Sequence, residues 1–449
     1  MTTASVTPLR GTGNGDLDGV HRPVIVVGGG QAGLSMSRCL QRAGVDHLVL
    51  ERDEVGHSWK TYRWETFCLV TPNWQCSLPD FPYGPGGFGG TDPHGFMVRS
   101  QIISYLEAYR AFVDPPLYEG VGVTRVTRDD RGTYVLETTA GTVTADQVVV
   151  ATGGYHTPIT PPLSEPLPPS ITQVQSQHYE DGSQLPPGEV LVVGSGQSGA
   201  QIAEDLHLEG RRVHLVVGNA PRVARFYRGR DVTDWLDDLG YYRMPVTEHP
   251  RREAIRAQAN HYVTGRDGGR DIDLRARARD GMRLYGVLTD HRDGVLHLRP
   301  DLTESLDHAD EVSESIKDTI DKHIAAQQID APSEERYSPV WAPAADPTEL
   351  RLADTDITSV VWCIGFRQDF SWIDVPVFSG RGTPGHSRGV TSAPGLYFLG
   401  LPWQWTWGSG RFAGVGDDAR HLAERIRSQR GLTSSGGRGD VCNVLALGS

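Results

Sequence analysis

One stretch of this chain occurs twice, and no other feature constrains the fold as tightly. Residues Val24 to Glu51 read VIVVGGGQAGLSMSRCLQRAGVDHLVLE, and residues Val190 to Val217, displaced by 166 positions without a gap, read VLVVGSGQSGAQIAEDLHLEGRRVHLVV. Each copy opens on four apolar residues rich in β-branching, which suits a strand buried on both faces. Gly-x-Gly-x-x-Gly follows, then a helical stretch, a helix-ending glycine (Gly44, Gly210) and a second apolar run. A lone glycine triplet is a weak signal; a triplet after a buried strand and before a helix is the context that gives it meaning. The pattern predicts one βαβ unit, twice.

The three glycines of such a unit have separate tasks. Gly28 and Gly194 make the tight turn out of the strand. Gly30 and Gly196 let a pyrophosphate approach the backbone, and Gly33 and Gly199 let helix and strand pack closely. Gln31, Ala32, Gln197 and Ser198 form the first helical turns, whose free N–H groups and dipole favour a phosphate. The copies differ where their nucleotides must differ. Glu51 ends the first, with Arg52 behind it; a carboxylate there accepts from ribose hydroxyls and repels a 2′-phosphate, which suits FAD or NAD. Val217 stands at the matching position of the second, followed by a loop with Arg222, Arg225, Arg228 and Arg230. Guanidinium groups bind phosphate bidentately, so this unit is expected to take NADPH, with Arg222 and Arg225 as first candidates for its 2′-phosphate.

At 449 residues the chain exceeds one compact core. A formal charge of −13 argues against tracking nucleic acid or an anionic membrane. The five cysteines form no CxxC pair, which speaks against a dithiol or zinc site; no metal site is expected. The first 22 residues lack an apolar core, and no run is long enough to span a bilayer, so a cytoplasmic location without membrane association is expected. A homodimer is compatible with the sequence but is not legible in it.

Two Pro-rich stretches, 157–170 and 331–347, read as linkers. The second βαβ unit lies between them. VVVATG (148–153) and VVWCIG (360–365) mirror each other, and GLYFLG (395–400) is a further buried strand, with glycine turns at Gly153, Gly365 and Gly400. The expected fold class is α/β, with two Rossmann-like dinucleotide-binding domains. An NADPH domain (161–347) is inserted into an FAD domain (20–160 and 348–430), followed by a loose tail (431–449).

These motifs, together with GHSWKTYRWETFCLVTPNW (56–74) and IGFRQDFSWI (364–373), resemble the class B flavin-containing monooxygenases, including YUCCA-type enzymes and their bacterial relatives. The resemblance runs from about residue 23 to 428. It implies that NADPH reduces FAD, that the flavin captures dioxygen, and that a flavin hydroperoxide delivers one oxygen atom to a small organic substrate. An oxidase or reductase of the same fold, without oxygen insertion, is the alternative. By the same resemblance, Trp59 lies near the isoalloxazine and Asn73 is either an active-site asparagine or a turn former. The closing helix after GSGRFAG (408–414) faces the flavin or is simply a capped helix.

One stretch departs from the family. In ITQVQSQHYEDG (171–182), Thr172 and Val174 occupy the places of a Phe and a Gly while His178 is retained; in a second register Gln175 replaces a His, and Ser176 and Tyr179 fit. Gln175 and His178 are therefore the catalytic candidates there, and ketone oxygenation is not implied. Trp403, Trp405 and Trp407 alternate, and are expected to line a pocket, pack in the core or contact a second subunit.

Overall fold

The computed structural model describes residues 11–12, 17–163, 165–380 and 382–434. Both copies of the repeat form the elements their pattern predicts. In the first, β1 (His21–Val27) turns at Gly28 into α1 (Gln31–Arg42) and returns as β2 (Leu48–Leu50). Helix α2 (Arg99–Val113) and strand β3 (Gly141–Val150) follow. The chain then crosses to a second sheet through β4 (Thr172–Gln175). There the second copy supplies β5 (Glu189–Val193), α3 (Gln197–Leu208) and β6 (Val213–Val216). Later come β7 (Arg283–Tyr285), the long α4 (Leu302–Gln327), β8 (Ile357–Trp362), β9 (Leu396–Phe398) and α5 (Val415–Ser434).

The first sheet runs β2-β1-β3-β9 through its centre, all parallel, with Val26 opposite Val149 and Val150 opposite Phe398. The second has five parallel strands in the order β4-β8-β5-β6-β7. Parallel strands covered on both faces read as continuous apolar runs, and Val24–Val26 and Val190–Val192 are fully buried. Helix α1 packs against α5, which closes the first core.

The second sheet takes in a strand beyond the expected end of the second domain. The sequence pattern places VVWCIG in the first domain, whose second part begins at 348. Instead β8 lies in the second sheet, between β4 and β5. The reason lies in the glycine turns. A Cβ on Gly28 would stand 2.7 Å from the carbonyl oxygen of Ala151, just past β3; a Cβ on Gly194 would stand 2.6 Å from that of Cys363, just past β8. Each glycine turn abuts the end of its own third strand, so the duplicated unit is three strands, not two. The stretch 331–347 likewise stays on the second domain, where the Tyr337 hydroxyl donates to Asp273 and the Trp341 carbonyl accepts from Arg275. The crossings between domains are the residues after β3 and after β8. Thr157–Pro158 and Phe366–Arg367 pair there as antiparallel strands, next to Gly153 and Gly365. Helix α5 extends to Ser434, so the start of the expected loose tail is helical; the rest of that tail lies outside the described residues.

Candidate functional site

The two glycine cradles are built alike. Gly28 and Gly194 have φ of +108° and +103°, a region costly for any residue with a side chain. A Cβ on Gly33 would lie 1.8 Å from the Gly28 carbonyl oxygen, and one on Gly199 would lie 1.8 Å from that of Gly194. Gly30 and Gly196 are the opposite case, since a Cβ on either meets nothing within 4 Å. Two of the three glycines are therefore demanded by the fold itself. The third leaves open space at a helix N-terminus, where a pyrophosphate needs it. The residues present fit a dinucleotide at each cradle. Gln31 and Gln197 brace the two helix starts, donating to the carbonyls of Gly410 and Val263 at 2.9 and 2.6 Å. Ala32 and Ser198 follow them, and Gly400 sits so close to α1 that its Cβ would fall 2.8 Å from that of Ala32.

Glu51 stands at the end of β2 with its carboxylate against the first cradle, accepting from Gly29 N at 2.5 Å and Asp53 N at 2.9 Å. Arg52 is exposed and pairs with Asp53. No acid stands at the matching end of β6, where Val217, Gly218 and Asn219 continue the chain.

The arginines expected to hold a 2′-phosphate do other work. Arg222 is 4% exposed, bonded to Asp310 at 2.6 Å, and lies over the Tyr337 ring at 4.0 Å. Arg225 is 2% exposed, pairs with Asp231 at 2.8 Å and donates to the Val70 carbonyl of the first domain at 2.7 Å. Arg228 and Arg230 pair with Asp321 and Asp238. The loop folds back after β6 toward α4, where Asp310 and Asp321 take up Arg222 and Arg228, while Asp231 and Asp238 take up Arg225 and Arg230. Arg225 is thus an interdomain clamp.

Further clamps surround it. Asp205 of α3 accepts from Trp64 Nε1 at 3.2 Å and Thr66 Oγ1 at 2.5 Å. Asp234 accepts from Trp74 Nε1 at 2.9 Å, and Val246 N donates to the Trp405 carbonyl at 2.7 Å. The tryptophan loop belongs to this junction. Trp403 is buried against Tyr241 and His249, while Trp407 packs on Tyr242 with ring centres 4.6 Å apart. Of the three readings for this loop, core packing describes Trp403. Trp405 borders a cavity of about 660 Å³ shared by Trp74, Gln75, Tyr242, Gly408 and Asp418 at the start of α5. Burial raises the Asp418 carboxyl above the usual range.

Trp59 is half-buried and stacks on Phe412, ring centres 5.8 Å apart and 18° between planes. This joins the expected flavin-side tryptophan to the loop before α5. Asn73 is 3% exposed; its amide donates to the Asp92 carbonyl and its oxygen accepts from Met97 N. Both polar atoms tie down the 92–97 loop, as those of a turn-forming asparagine do. Gln175 ends β4 with its amide on Thr160 Oγ1 at 2.6 Å, and His178 meets Tyr62 edge-on at 6.2 Å. The departing stretch therefore reaches the junction through the contact of His178 with Tyr62. Arg63 lies over the Trp59 ring, and Arg411 immediately precedes Phe412.

Residues 25–267 match the family model described as pyridine nucleotide-disulphide oxidoreductase. The chain is 31% identical over 90% of its length to an uncharacterized CzcO-like oxidoreductase of Geobacillus kaustophilus, covering 97% of that relative. It is also 31% identical to a probable indole-3-pyruvate monooxygenase, YUCCA4 of Arabidopsis thaliana, over 44% of this chain and 47% of the relative. Among solved structures, the flavin-containing monooxygenase of Stenotrophomonas maltophilia superposes with a TM-score of 0.63 at 20% identity, over 92% of this chain and 99% of that one.

Proposed function

The chain belongs to the pyridine nucleotide-disulphide oxidoreductase family, and on that premise we propose that it is an FAD-dependent monooxygenase that consumes NADPH and dioxygen to oxygenate a small organic substrate. The observation that carries this reading is the pair of matched cradles, one with Glu51 at its ribose end and one without an acid, opening on a junction walled by Trp59 and Phe412. Bound flavin supplies the redox and oxygen chemistry. The protein's part is to hold it at Gly28–Gly33 and Glu51, to hold a nicotinamide nucleotide at Gly194–Gly199, and to keep water from the junction with the tryptophan loop. NADPH is not repelled at Val217–Asn219, but all four nearby arginines are paired, so the preference over NADH is expected to be modest.

A dithiol route is disfavoured by the cysteines. Cys39, Cys68, Cys76 and Cys363 are buried free thiols, and burial pushes Cys39 up to about 11 and Cys76 and Cys363 up to about 12. Thiolates, the reactive form, are scarce at such values. The names of the relatives, flavin-containing monooxygenase and indole-3-pyruvate monooxygenase, support oxygen transfer. The altered stretch around Gln175 and His178 favours the oxidase alternative. The test is to follow NADPH oxidation, oxygen uptake and hydrogen peroxide release across a panel of sulfides, amines and organic acids. Oxygenation predicts a substrate that suppresses peroxide and gains one oxygen atom from labelled dioxygen. Full conversion of oxygen to peroxide with every compound would establish the oxidase.

A further inference from the structure

The helix that opens on the second cradle carries a buried polar stripe. Gln197, Gln201, Glu204 and Asp205 lie at i, i+4, i+7 and i+8 of α3, which is one face of the helix. Gln201, Glu204 and Asp205 are buried. At the matched positions of α1, 166 residues earlier, stand Gln31, Ser35, Arg38 and Cys39, and Cys39 packs in the first core. The two copies therefore part at Asp205, where a carboxylate stands in place of a thiol. A buried carboxylate is costly unless it is paired and hydrogen-bonded, so its partners show what it holds.

Those partners come from both domains. Within the second, Arg266 pairs with Asp205, Arg270 pairs with Glu204 at 2.6 Å, and Gln197 and Gln201 both donate to the Val263 carbonyl. From the first, Trp64 Nε1 and Thr66 Oγ1 both donate to Asp205 Oδ2, at 3.2 and 2.5 Å. The buried Trp64 ring shares the second domain's apolar cluster with Ile202 and Leu206 of α3. From there the rings run back to Trp59: Trp64 meets Phe67 edge-on at 5.0 Å, Phe67 lies 5.8 Å from Trp59, and Trp59 stacks on Phe412. The loop latched by the stripe is seated on the first domain as closely, since a Cβ on Gly265 would stand 2.1 Å from the Leu69 carbonyl oxygen. One helix thus carries the pyrophosphate berth at its first turn and, about two turns on, is fixed to the segment that carries Trp59.

We propose that Asp205 is a positioning residue that, by holding Trp64 and Thr66, sets the approach of a nicotinamide in the second cradle to a flavin in the first. This role rests on the monooxygenase reading, in which a hydride passes from NADPH, which becomes NADP⁺, to FAD, which becomes FADH⁻. Asp205 acts through its two donors, so its effect falls on the rate of that step at saturation and not on nucleotide affinity. A displacement of about 1 Å at the reacting centre costs on the order of 10²-fold in rate.

The test is the Trp64→Phe, Thr66→Val double variant, which keeps both apolar bodies, removes both donors and leaves the Asp205–Arg266 pair and the second cradle in place. The FAD-loaded proteins are mixed without oxygen with increasing NADPH, and flavin reduction is followed by stopped-flow absorbance. Titration with NADP⁺ gives its affinity and the flavin difference spectrum at saturation. The limiting reduction rate of the variant is expected to fall on the order of tenfold or more, and its NADP⁺ difference spectrum to lose amplitude. NADP⁺ affinity and reduction by dithionite should not change. Thr66→Ser, which keeps the hydroxyl, should retain the wild-type rate; Thr66→Val alone should give an intermediate rate and serves where the double variant does not load FAD. A wild-type limiting rate in the variants, or a loss that lies wholly in NADP⁺ affinity, overturns the assignment and leaves flavin reduction by NADPH standing. A wild type that dithionite reduces and NADPH does not overturns the reading beneath it, and the assignment with it.

Discussion

Replacing Gly30 with alanine separates cofactor binding from folding. Gly30 sits at the N-cap of α1 with φ −74° and ψ −170°, a conformation alanine adopts readily, and a Cβ there meets no protein atom within 4 Å. Alanine is a somewhat poorer N-cap than glycine, but it also loses less chain entropy on folding, so apoprotein stability should change by less than about 1 kcal/mol. The added methyl enters the pyrophosphate berth, and FAD affinity should fall on the order of 10–100-fold, or about 1.4–2.7 kcal/mol. Gly33→Ala is the control with the opposite signature. Its Cβ would lie 1.8 Å from the Gly28 oxygen, against an ordinary contact of 3.4 Å or more, and Gly28 is itself held against Ala151. Helix and strand must part, at the upper end of the roughly 1–3 kcal/mol typical of overpacking. Thermal melts of the apoproteins and the FAD-to-protein ratio of the purified proteins read the two effects separately. Full FAD loading in Gly30→Ala, or an unchanged melt in Gly33→Ala, would refute the assignment of roles within the cradle.

The same logic makes Gly196→Ala raise the dissociation constant for NADPH on the order of tenfold or more while FAD content stays at the wild-type level; equilibrium titration of both nucleotides checks it. Arg225→Ala strands Asp231 in a buried setting and releases the Val70 carbonyl. It should cost about 3–5 kcal/mol in denaturant unfolding without changing the NADPH-to-NADH ratio. Burial holds His261 and His386 down at about 4, against roughly 6.5 when unfolded. Between those values the unfolded chain binds more protons, so stability falls as pH drops from about 6.5 toward 4, by at most about 1.4 kcal/mol per pH unit for each. Unfolding curves across that range should flatten in the His261→Gln, His386→Gln double variant.

The cradles are legible because the turn, the berth and the close helix contact lie within six or so residues of one another. The third strand of the second domain was misassigned because Trp362 pairs with Val193 across a long stretch of chain. The resemblance of VVWCIG to VVVATG carried the right signal, since each ends against its own glycine turn. Arg222 looked like a phosphate ligand because nothing in its neighbourhood announces Asp310, 88 residues on. Asn73 has two readings from one motif, and the backbone partners that bear on them, Asp92 and Met97, lie outside that motif.

The central claim is that electrons from a nicotinamide nucleotide in the second cradle end in oxygen transfer from flavin in the first. The direct measurement is stopped-flow absorbance on the FAD-loaded protein, reduced by NADPH and mixed with oxygenated buffer. The account predicts a transient spectrum that is neither reduced nor oxidised flavin, longer-lived when NADP⁺ is retained and shortened by an oxygenated substrate. A single step from reduced to oxidised flavin, with one peroxide per turnover and no transient under either condition, would contradict it.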